Sequence, residues 1–485
     1  MTDMAFPRLL FVNEKTDVSS DVSVINDLKL DLIFSPEVSD YLLLAPEKET
    51  LLARREMFSA LLADSEAEDK LSRLTSLLTE TEELYRAVTT AVSEKTAAFV
   101  FVSLVAKLSL FCEETKGFSA YGKLFERFAK VFEHISERAE FITATEEAEV
   151  LKQSLAAISS LTVKTDGESA VISAGNEGGI TAALRKCAEE LEIPLVEKPY
   201  TSLVLQKGIA EAMGTVYPEE LSAAAEYLSK YRSLVTGEIF DYIPELKFVL
   251  GIVSFTKKAA AQGLPYSFPE LSGEKKIALK NVYDITLLKK EGTVIIPNNV
   301  EFSEAEPFFY LTGANGGGKT TYIRTVGGAM LMFLAGAPVF CEGGEAALLS
   351  AVYTHFPRDE RFEGTGRFLD EKNRVDVILE KQDGNALILL NETFSTTGEE
   401  KAIEQTDILA KQLYRSGNFG LYITHQHDVT EKEIPFLGVT VDENDSNRRT
   451  YKIEKRRLPP RSFAKDILEK YALDRASLKA RFGVK

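Results

Sequence analysis

The chain has 485 residues, an ordinary hydrophobic share of 45% and a formal net charge of −17, which leaves room for about three domains and a sizeable buried core. So large an excess of acid argues against extended nonspecific contact with nucleic acid, because phosphate binding is dominated by Lys and Arg. No apolar run of uncharged residues reaches membrane-spanning length, since the nearest, Ala97 to Phe111, is broken by Lys107.

At the N-terminus no basic segment precedes an apolar core and cleavage site, so no secretory signal is visible and a soluble, cytoplasmic protein without a membrane partner is expected. From about Val18 to Leu161 the sequence is acidic and poor in glycine, and Leu71, Leu74, Leu78, Tyr85 and Val88 fall on one face of a helix. Ser35-Pro36-Glu37 supplies an N-cap, a proline at the first helical position and an acid in the first turn. Cys112, Cys187 and Cys341 have no short paired spacing, which argues against disulfides and a zinc knuckle and for packing as small hydrophobes. Leu161-Thr162-Val163 and Val171-Ile172 flank Asp166-Gly167, a pair suited to a hairpin turn. Helical patterning resumes from Pro218 to about Ala261, and Pro265 and Pro269 mark a connector to a last part beginning near residue 270.

Beyond it, Phe308 to Thr312, Ala386 to Leu390 and Gly420 to Thr424 read as buried parallel strands, with a helix over Glu399 to Tyr414 stopped at Gly417. Strand, crossover helix and strand together indicate an α/β sheet. The basic clusters Lys275-Lys276, Lys289-Lys290, Arg448-Arg449 and Lys455-Arg456-Arg457 are short, and runs of this length are usually solvated faces.

The strand ending at Thr312 leads into Gly313-Ala314-Asn315-Gly316-Gly317-Gly318-Lys319-Thr320, which opens a helix. Glycines there let backbone N–H groups converge on a phosphate, Lys319 adds a charge between the β and γ positions, and the Thr320 hydroxyl can ligate Mg²⁺. Downstream, five apolar residues run into Asn391-Glu392 at a strand end beside that loop. Glu392 is there either to orient or deprotonate an attacking water, or simply as a surface acid. His425 also ends a strand, where an imidazole can hydrogen-bond a γ-phosphate, although a lone histidine is as often structural.

The run from Thr312 through Gly318, Lys319, Thr320, Thr321, Tyr322 and Ile323 to Arg324 resembles the P-loop of the MutS family. Ile296-Pro297-Asn298-Asn299-Val300 is similar to the family's Val-Pro-Asn-Asp lead-in, and Ile423-Thr424-His425 to its Thr-His switch. Arg54-Arg55-Glu56, after Pro46-Glu47, resembles a core-domain helix. The resemblance covers most of the chain, most closely from about Pro269 onward. It implies an α-helical core and lever domain with a small inserted β-containing clamp, followed by an α/β ABC-type P-loop ATPase domain. The implied boundaries are an N-terminal segment 1–17, a helical domain 18–268 with a reduced clamp at about 161–213, and an ATPase domain 269–485 with a C-terminal helix.

The same resemblance implies ATP and Mg²⁺ as cofactors and a homodimer with composite ATP sites. Nucleotide contacts fall to Gly313, Ala314, Asn315, Gly316, Gly317, Gly318, Lys319, Thr320 and Thr321. Thr320 and Asn391 fall at the metal, Glu392 at the catalytic carboxylate and His425 at the γ-phosphate sensor. Gly364-Thr365-Gly366-Arg367-Phe368-Leu369-Asp370-Glu371 is similar to the signature that completes the partner's site in trans.

Departures modify this picture. Asn391 stands where the family usually has the Walker B aspartate, so slow hydrolysis or weaker metal binding is expected. Gly366-Arg367 replaces the Ser-Thr of mismatch-repair members. The mismatch-reading Phe-x-Glu and connector segments have no counterpart, and neither has the nuclease module of the ribosome-acting branch, so a short form is expected. The resemblance implies a dimeric ATPase that couples nucleotide state to binding of mismatched, branched or otherwise unusual DNA. The alternative is an ATP-gated scaffold with weak hydrolysis that acts on protein or ribosome partners, which the acidic balance favours slightly.

Overall fold

In a computed structural model of the chain, the residues described are 6–13, 17–18, 20–45, 47–91, 93–156, 161–165, 170–174, 217–289, 294–313, 316–357, 367–393, 399–424, 434–441, 449–455 and 481. They divide into two units, Met1–Glu14 with Ala60–Leu250, and Lys15–Ser59 with Gly251–Lys485. Two short antiparallel pairs occur early in the chain, β1 (Asp17–Val18) with β2 (Leu44–Ala45), and β3 (Leu161–Thr165) with β4 (Ala170–Ala174). The second pair is the hairpin expected around Asp166-Gly167, although those two turn residues lie outside the described set.

The first unit is built from helices, chiefly Ala67–Thr89, Glu94–Thr115, Lys123–Ser136, Ala139–Ala156 and Pro218–Tyr231. In Ala67–Thr89 the stripe Leu71, Leu74 and Leu78 is buried, as helical periodicity requires, while Tyr85 and Val88 are half-buried. Ser93 caps Glu94–Thr115, its Oγ accepting from the Thr96 amide at 3.2 Å. By length and composition that helix can cross a membrane, a longer apolar element than the run broken at Lys107 suggests. Here it is a core helix, packed against four of the other helices and burying Phe101, Leu104, Leu108 and Phe111. Phe111, Phe128, Phe132 and Tyr242 interlock edge to face at centroid separations of 4.9–6.3 Å. Glu245, almost fully buried, accepts from the Leu9 amide at 2.6 Å and from Arg8 Nε at 2.9 Å.

The second unit carries two sheets. Strands β5 (Glu270–Leu271), β6 (Lys276–Val282), β7 (Asn298–Ser303) and β9 (Gly343–Ala346) form a four-stranded sheet in the order β5-β9-β6-β7. Strands β8 (Phe308–Thr312), β10 (Ala351–His355), β11 (Ala386–Asn391), β12 (Phe419–Ile423), β13 (Phe436–Val441) and β14 (Arg449–Lys455) form a six-stranded sheet in the order β10-β11-β12-β8-β13-β14. All its neighbours are parallel except β13 and β14. Every residue of β8, β11 and β12 is buried, which is why these strands are continuous apolar runs without alternation. The helix Lys319–Leu334 is apolar nearly all round and buried along most of its length. Phe308, Tyr310, Ile388, Leu390 and Tyr422 form a core with Leu409 and Leu413 from the helix Glu399–Arg415.

Residues 20–42 complete this unit. Pro36–Leu42 starts as its Ser-Pro-Glu signal requires, with Ser35 extended, although no side-chain bond closes the cap. Asp27, at the end of the helix Ser23–Asp27, accepts through its carbonyl from Arg324 Nε at 3.1 Å and through its carboxylate from Thr354 Oγ1 at 2.7 Å. Leu28 closes against the long buried helix so tightly that a Cβ on Gly327 meets its methyls at 2.7 and 2.8 Å. Of the cysteines, Cys112 and Cys341 are buried thiols, while Cys187 lies outside the described residues.

Candidate functional site

The carboxyl ends of the parallel strands β8, β10, β11 and β12 converge on one rim of the six-stranded sheet, and such a rim is where open α/β sheets present their ligand crevice. From β8 the chain turns through Gly313, at φ 137°, and enters the helix Lys319–Leu334 from Gly318, at φ 99°. Both values lie in territory that side-chain-bearing residues avoid. At Gly313 a Cβ stands 3.0 Å from the Val439 side chain, so β13 itself demands glycine there. Ala314 and Asn315 lie outside the described residues; Gly316 turns at φ 70°.

Lys319 is 6% exposed, and its Nζ donates to the Gly313 carbonyl at 2.8 Å. Burial pulls its pKa from the ordinary 10.5 to about 8, with the Glu392 carboxylate opposing the shift and the Arg449 charge adding to it. A buried ammonium facing one carboxylate at a helix N-terminus is prepared for an anion. The adjoining cavity, about 510 Å³, is lined by Gly316, Gly318, Lys319, Thr320, Thr321 and Glu392 together with the apolar Leu287, Val294 and Ile296 and with Tyr451. Its lining thus combines polar and charged groups with apolar surface.

Two readings of the rim are sharpened by its backbone. Glu392 follows β11 at φ 50°, a left-handed conformation rare for glutamate, and its amide donates to the Ile423 carbonyl at 3.0 Å. Its neighbour Thr393 is anchored on both sides: its carbonyl accepts from Tyr422 Oη at 3.1 Å and its Oγ1 pairs with buried His355 Nδ1 at 3.1 Å. Tyr422 Oη also shares a hydrogen with Thr406 Oγ1 at 3.1 Å. This polar ring fixes the turn that aims Glu392 toward Lys319. The other observation concerns Asn391, whose Oδ1 is buried and accepts no hydrogen bond among the described residues. A buried, unsatisfied amide oxygen is costly unless something else meets it. Together with the Thr320 hydroxyl and Glu392 it is a hard oxygen set that suits Mg²⁺, with less charge than an aspartate supplies. Among the described residues no cluster of three His, Cys, Asp or Glu side chains offers a separate metal site.

Sequence reasoning missed the far wall. Asn298, at the start of β7, donates from Nδ2 to the Tyr451 carbonyl at 3.0 Å and accepts at Oδ1 from the Ile453 amide at 2.8 Å. That clamp holds Tyr451 at φ 58°, over Gly318, whose Cβ position is 3.4 Å from the ring. Neither a positive φ nor a contact across some 130 residues leaves a mark in the local pattern. His425, Gly364, Thr365 and Gly366 lie outside the described residues. Arg367, Phe368, Leu369 and Asp370 open the helix Arg367–Lys381, in which Glu371 is buried.

Residues 309–457, which include β8, the loop, Asn391, Glu392, Arg449 and Tyr451, match the family model of MutS domain V. The DNA mismatch repair protein MSH2 of Saccharomyces cerevisiae is 30% identical over 219 residues, 42% of this chain and 23% of that protein. The DNA mismatch repair protein MutS of Fervidobacterium nodosum is 29% identical over 182 residues, 36% of this chain and 22% of that one. The Endonuclease MutS2 of Streptococcus uberis is 28% identical over 161 residues, 33% and 20% of the two chains. The match thus spans less than a quarter of each of these relatives.

Proposed function

The chain belongs to the MutS family, and on that premise we propose that it binds and hydrolyses ATP with Mg²⁺ in the cavity at the sheet rim. The observation that carries this reading is the buried Lys319 ammonium at a glycine-lined helix N-terminus, under the influence of the Glu392 carboxylate, with both lining a cavity that also has apolar residues. The amides of the loop and of the first helical turn cradle the phosphates, Lys319 neutralises the terminal pair, and the apolar lining of Leu287, Val294 and Ile296 receives the base. The Thr320 hydroxyl and the Asn391 amide oxygen would hold Mg²⁺, which would supply positive charge to the phosphates. Glu392 takes the proton of the water whose oxygen attacks the γ-phosphorus, the bond to the β–γ bridging oxygen breaks, and Lys319 meets the charge left on ADP.

At the level of the whole protein, the reading is a cytoplasmic homodimer with composite sites that couples nucleotide state to DNA of mismatched, branched or otherwise unusual structure. Relatives named for DNA mismatch repair support it. Light scattering of wild type and Glu392→Gln with ATP, with and without branched DNA, tests it together with phosphate release. The variant is expected to bind ATP, release no phosphate and accumulate as an ATP-stabilised dimer; unchanged turnover in Glu392→Gln refutes the assignment. A second reading, an ATP-gated scaffold with weak hydrolysis acting on protein or ribosome partners, is favoured by the neutral Asn391 and the net charge of −17. Failure to bind branched DNA at low salt selects the scaffold, since phosphate contacts are strongest there.

A further inference from the structure

Of the basic clusters visible in the sequence, most described members are tied to protein. Lys275 Nζ donates to the Gly384 carbonyl at 2.6 Å, Lys276 pairs with Glu345 at 3.0 Å, and Lys455 pairs with Glu306. Arg449 differs: its Nη1 is buried and has no hydrogen-bond partner among the described residues. A guanidinium carries five donors, and leaving one buried and unmet costs free energy that a folded chain normally avoids.

Its place in the fold makes the exception informative. Strand β13 runs parallel to β8 in the register Gly438 to Thr312, so its remaining residues extend past the end of β8, over the beginning of the phosphate loop. Val439 lies against Gly313, and Val441, about 10 Å beyond the last paired residue at 3.3 Å per residue, is paired with Arg449 across the antiparallel ladder. Arg449 thereby begins β14 above the loop mouth, two residues before Tyr451 on the cavity wall, and near enough to Lys319 for the two charges to repel. Arg449 and Lys319 thus repel one another, with Glu392 the described carboxylate acting on Lys319 and its neighbour Asn391 neutral. That arrangement is unfavourable until an anion arrives.

We propose that Arg449 is a second phosphate-binding cation of this site, and that it lets the protein take up nucleoside triphosphate without a divalent metal. The proposal rests on the reading of the cavity as a nucleotide site and adds to it. An arginine fork reaching the terminal phosphate oxygens supplies charge-assisted hydrogen bonds where a metal with its carboxylate ligands otherwise concentrates positive charge. Asn391 then leaves the site without a second acid to support a metal, and Arg449 adds a base to support the phosphates.

Calorimetric titration of the full chain with ATP, ADP and AMP, in Mg²⁺ and in EDTA, tests this on wild type, Arg449→Met, Arg449→Lys and Lys319→Met. Wild type is expected to keep its ATP affinity in EDTA to within about threefold, and Arg449→Met to lose roughly 10- to 100-fold of it there. Arg449→Lys is expected to recover part of the loss, and AMP binding to be the same in Arg449→Met and wild type. Thermal melts establish that each variant is folded. A wild-type affinity that collapses in EDTA overturns the proposal, as does an Arg449→Met variant that binds ATP like its parent. If Lys319→Met abolishes binding while Arg449→Met does not, the nucleotide site stands and the role of Arg449 falls; absence of ATP binding by wild type in either buffer sinks both.

Discussion

Replacing Lys319 by methionine should make the ligand-free protein more stable while removing its affinity for ATP. The ammonium is 6% exposed and its pKa is lowered from 10.5 to about 8 by burial, even with Glu392 pulling the other way. A depression of that size corresponds to roughly 3 kcal/mol of unfavourable interaction of the charged form, at about 1.4 kcal/mol per unit. Methionine also forfeits the bond to the Gly313 carbonyl, about 1 kcal/mol, so the net gain is about 2 kcal/mol. For a unit of this size that raises the melting midpoint by roughly 4 °C. The pH dependence fixes the mechanism. Below pH 8 the lysine is protonated in both folded and unfolded chains, and the full cost is borne. As pH climbs from about 8 toward 10.5 the folded chain gives up its proton first, the unfolded chain holds more protons, and the parent gains stability. The gap between Lys319→Met and its parent should therefore be widest at pH 7 and shrink as pH approaches 10. Scanning calorimetry without nucleotide, from pH 7 to 10, measures it, and titration with ATP at pH 7 measures the loss of binding. A variant that melts at or below the parent at pH 7, or a gap that ignores pH, refutes the assignment of a desolvated phosphate-seeking ammonium.

Three further changes probe the rim. Tyr422→Phe removes the donor to the Thr393 carbonyl and the partner of Thr406; a urea transition should show a loss of about 1–2 kcal/mol, with slower phosphate release at unchanged ATP affinity, and an unchanged rate clears the turn of any part in aiming Glu392. Asn391→Asp should lower the Mg²⁺ concentration for half-maximal turnover by about tenfold, because a carboxylate is a stronger ligand for a hard cation than an amide; identical metal titrations of the two proteins exclude Asn391 from the metal. Gly313→Ala forces a side chain to φ 137° and against Val439; about 1–3 kcal/mol of strain is expected in denaturant midpoints, with weaker ATP binding by calorimetry, and a neutral outcome contradicts the tight crossing of β8 and β13.

Local rules made the strands β8, β11 and β12 visible in the sequence, because a strand covered on both faces must be largely apolar and these three are, up to the terminal Thr312 and Asn391. The glycine-rich turn and Lys319 were visible for a related reason: close convergence of amides needs residues without Cβ, and that demand falls on consecutive positions. What the pattern of residues 20–42 does not disclose is their membership of the second unit. Leu28 against Gly327 and Asp27 against Arg324 are single contacts across some 300 residues, with no periodicity to announce them.

Four departures from ordinary geometry concern residues at or near the cavity. Glu392 at φ 50°, Tyr451 at φ 58°, the unmet Oδ1 of Asn391 and the unmet Nη1 of Arg449 each break a rule of backbone or hydrogen bonding. Glu392 and Tyr451 line the cavity, Asn391 immediately precedes Glu392, and the Arg449 charge acts on Lys319. Other departures lie elsewhere among the described residues, Lys29 and Asn281 at positive φ and Ser39 Oγ and Thr236 Oγ1 without a hydrogen bond, so it is the combination of strained backbone and unmet polar atoms at one rim that points to a ligand. Strain and unsatisfied polarity persist where surrounding structure enforces them, and they are relieved when a ligand provides the missing partner. An anionic ligand meets the guanidinium and the ammonium, and its metal meets the amide oxygen. The departures from ordinary packing therefore carry independent information about the site, because the glycine-rich loop is a matter of local sequence and they are not.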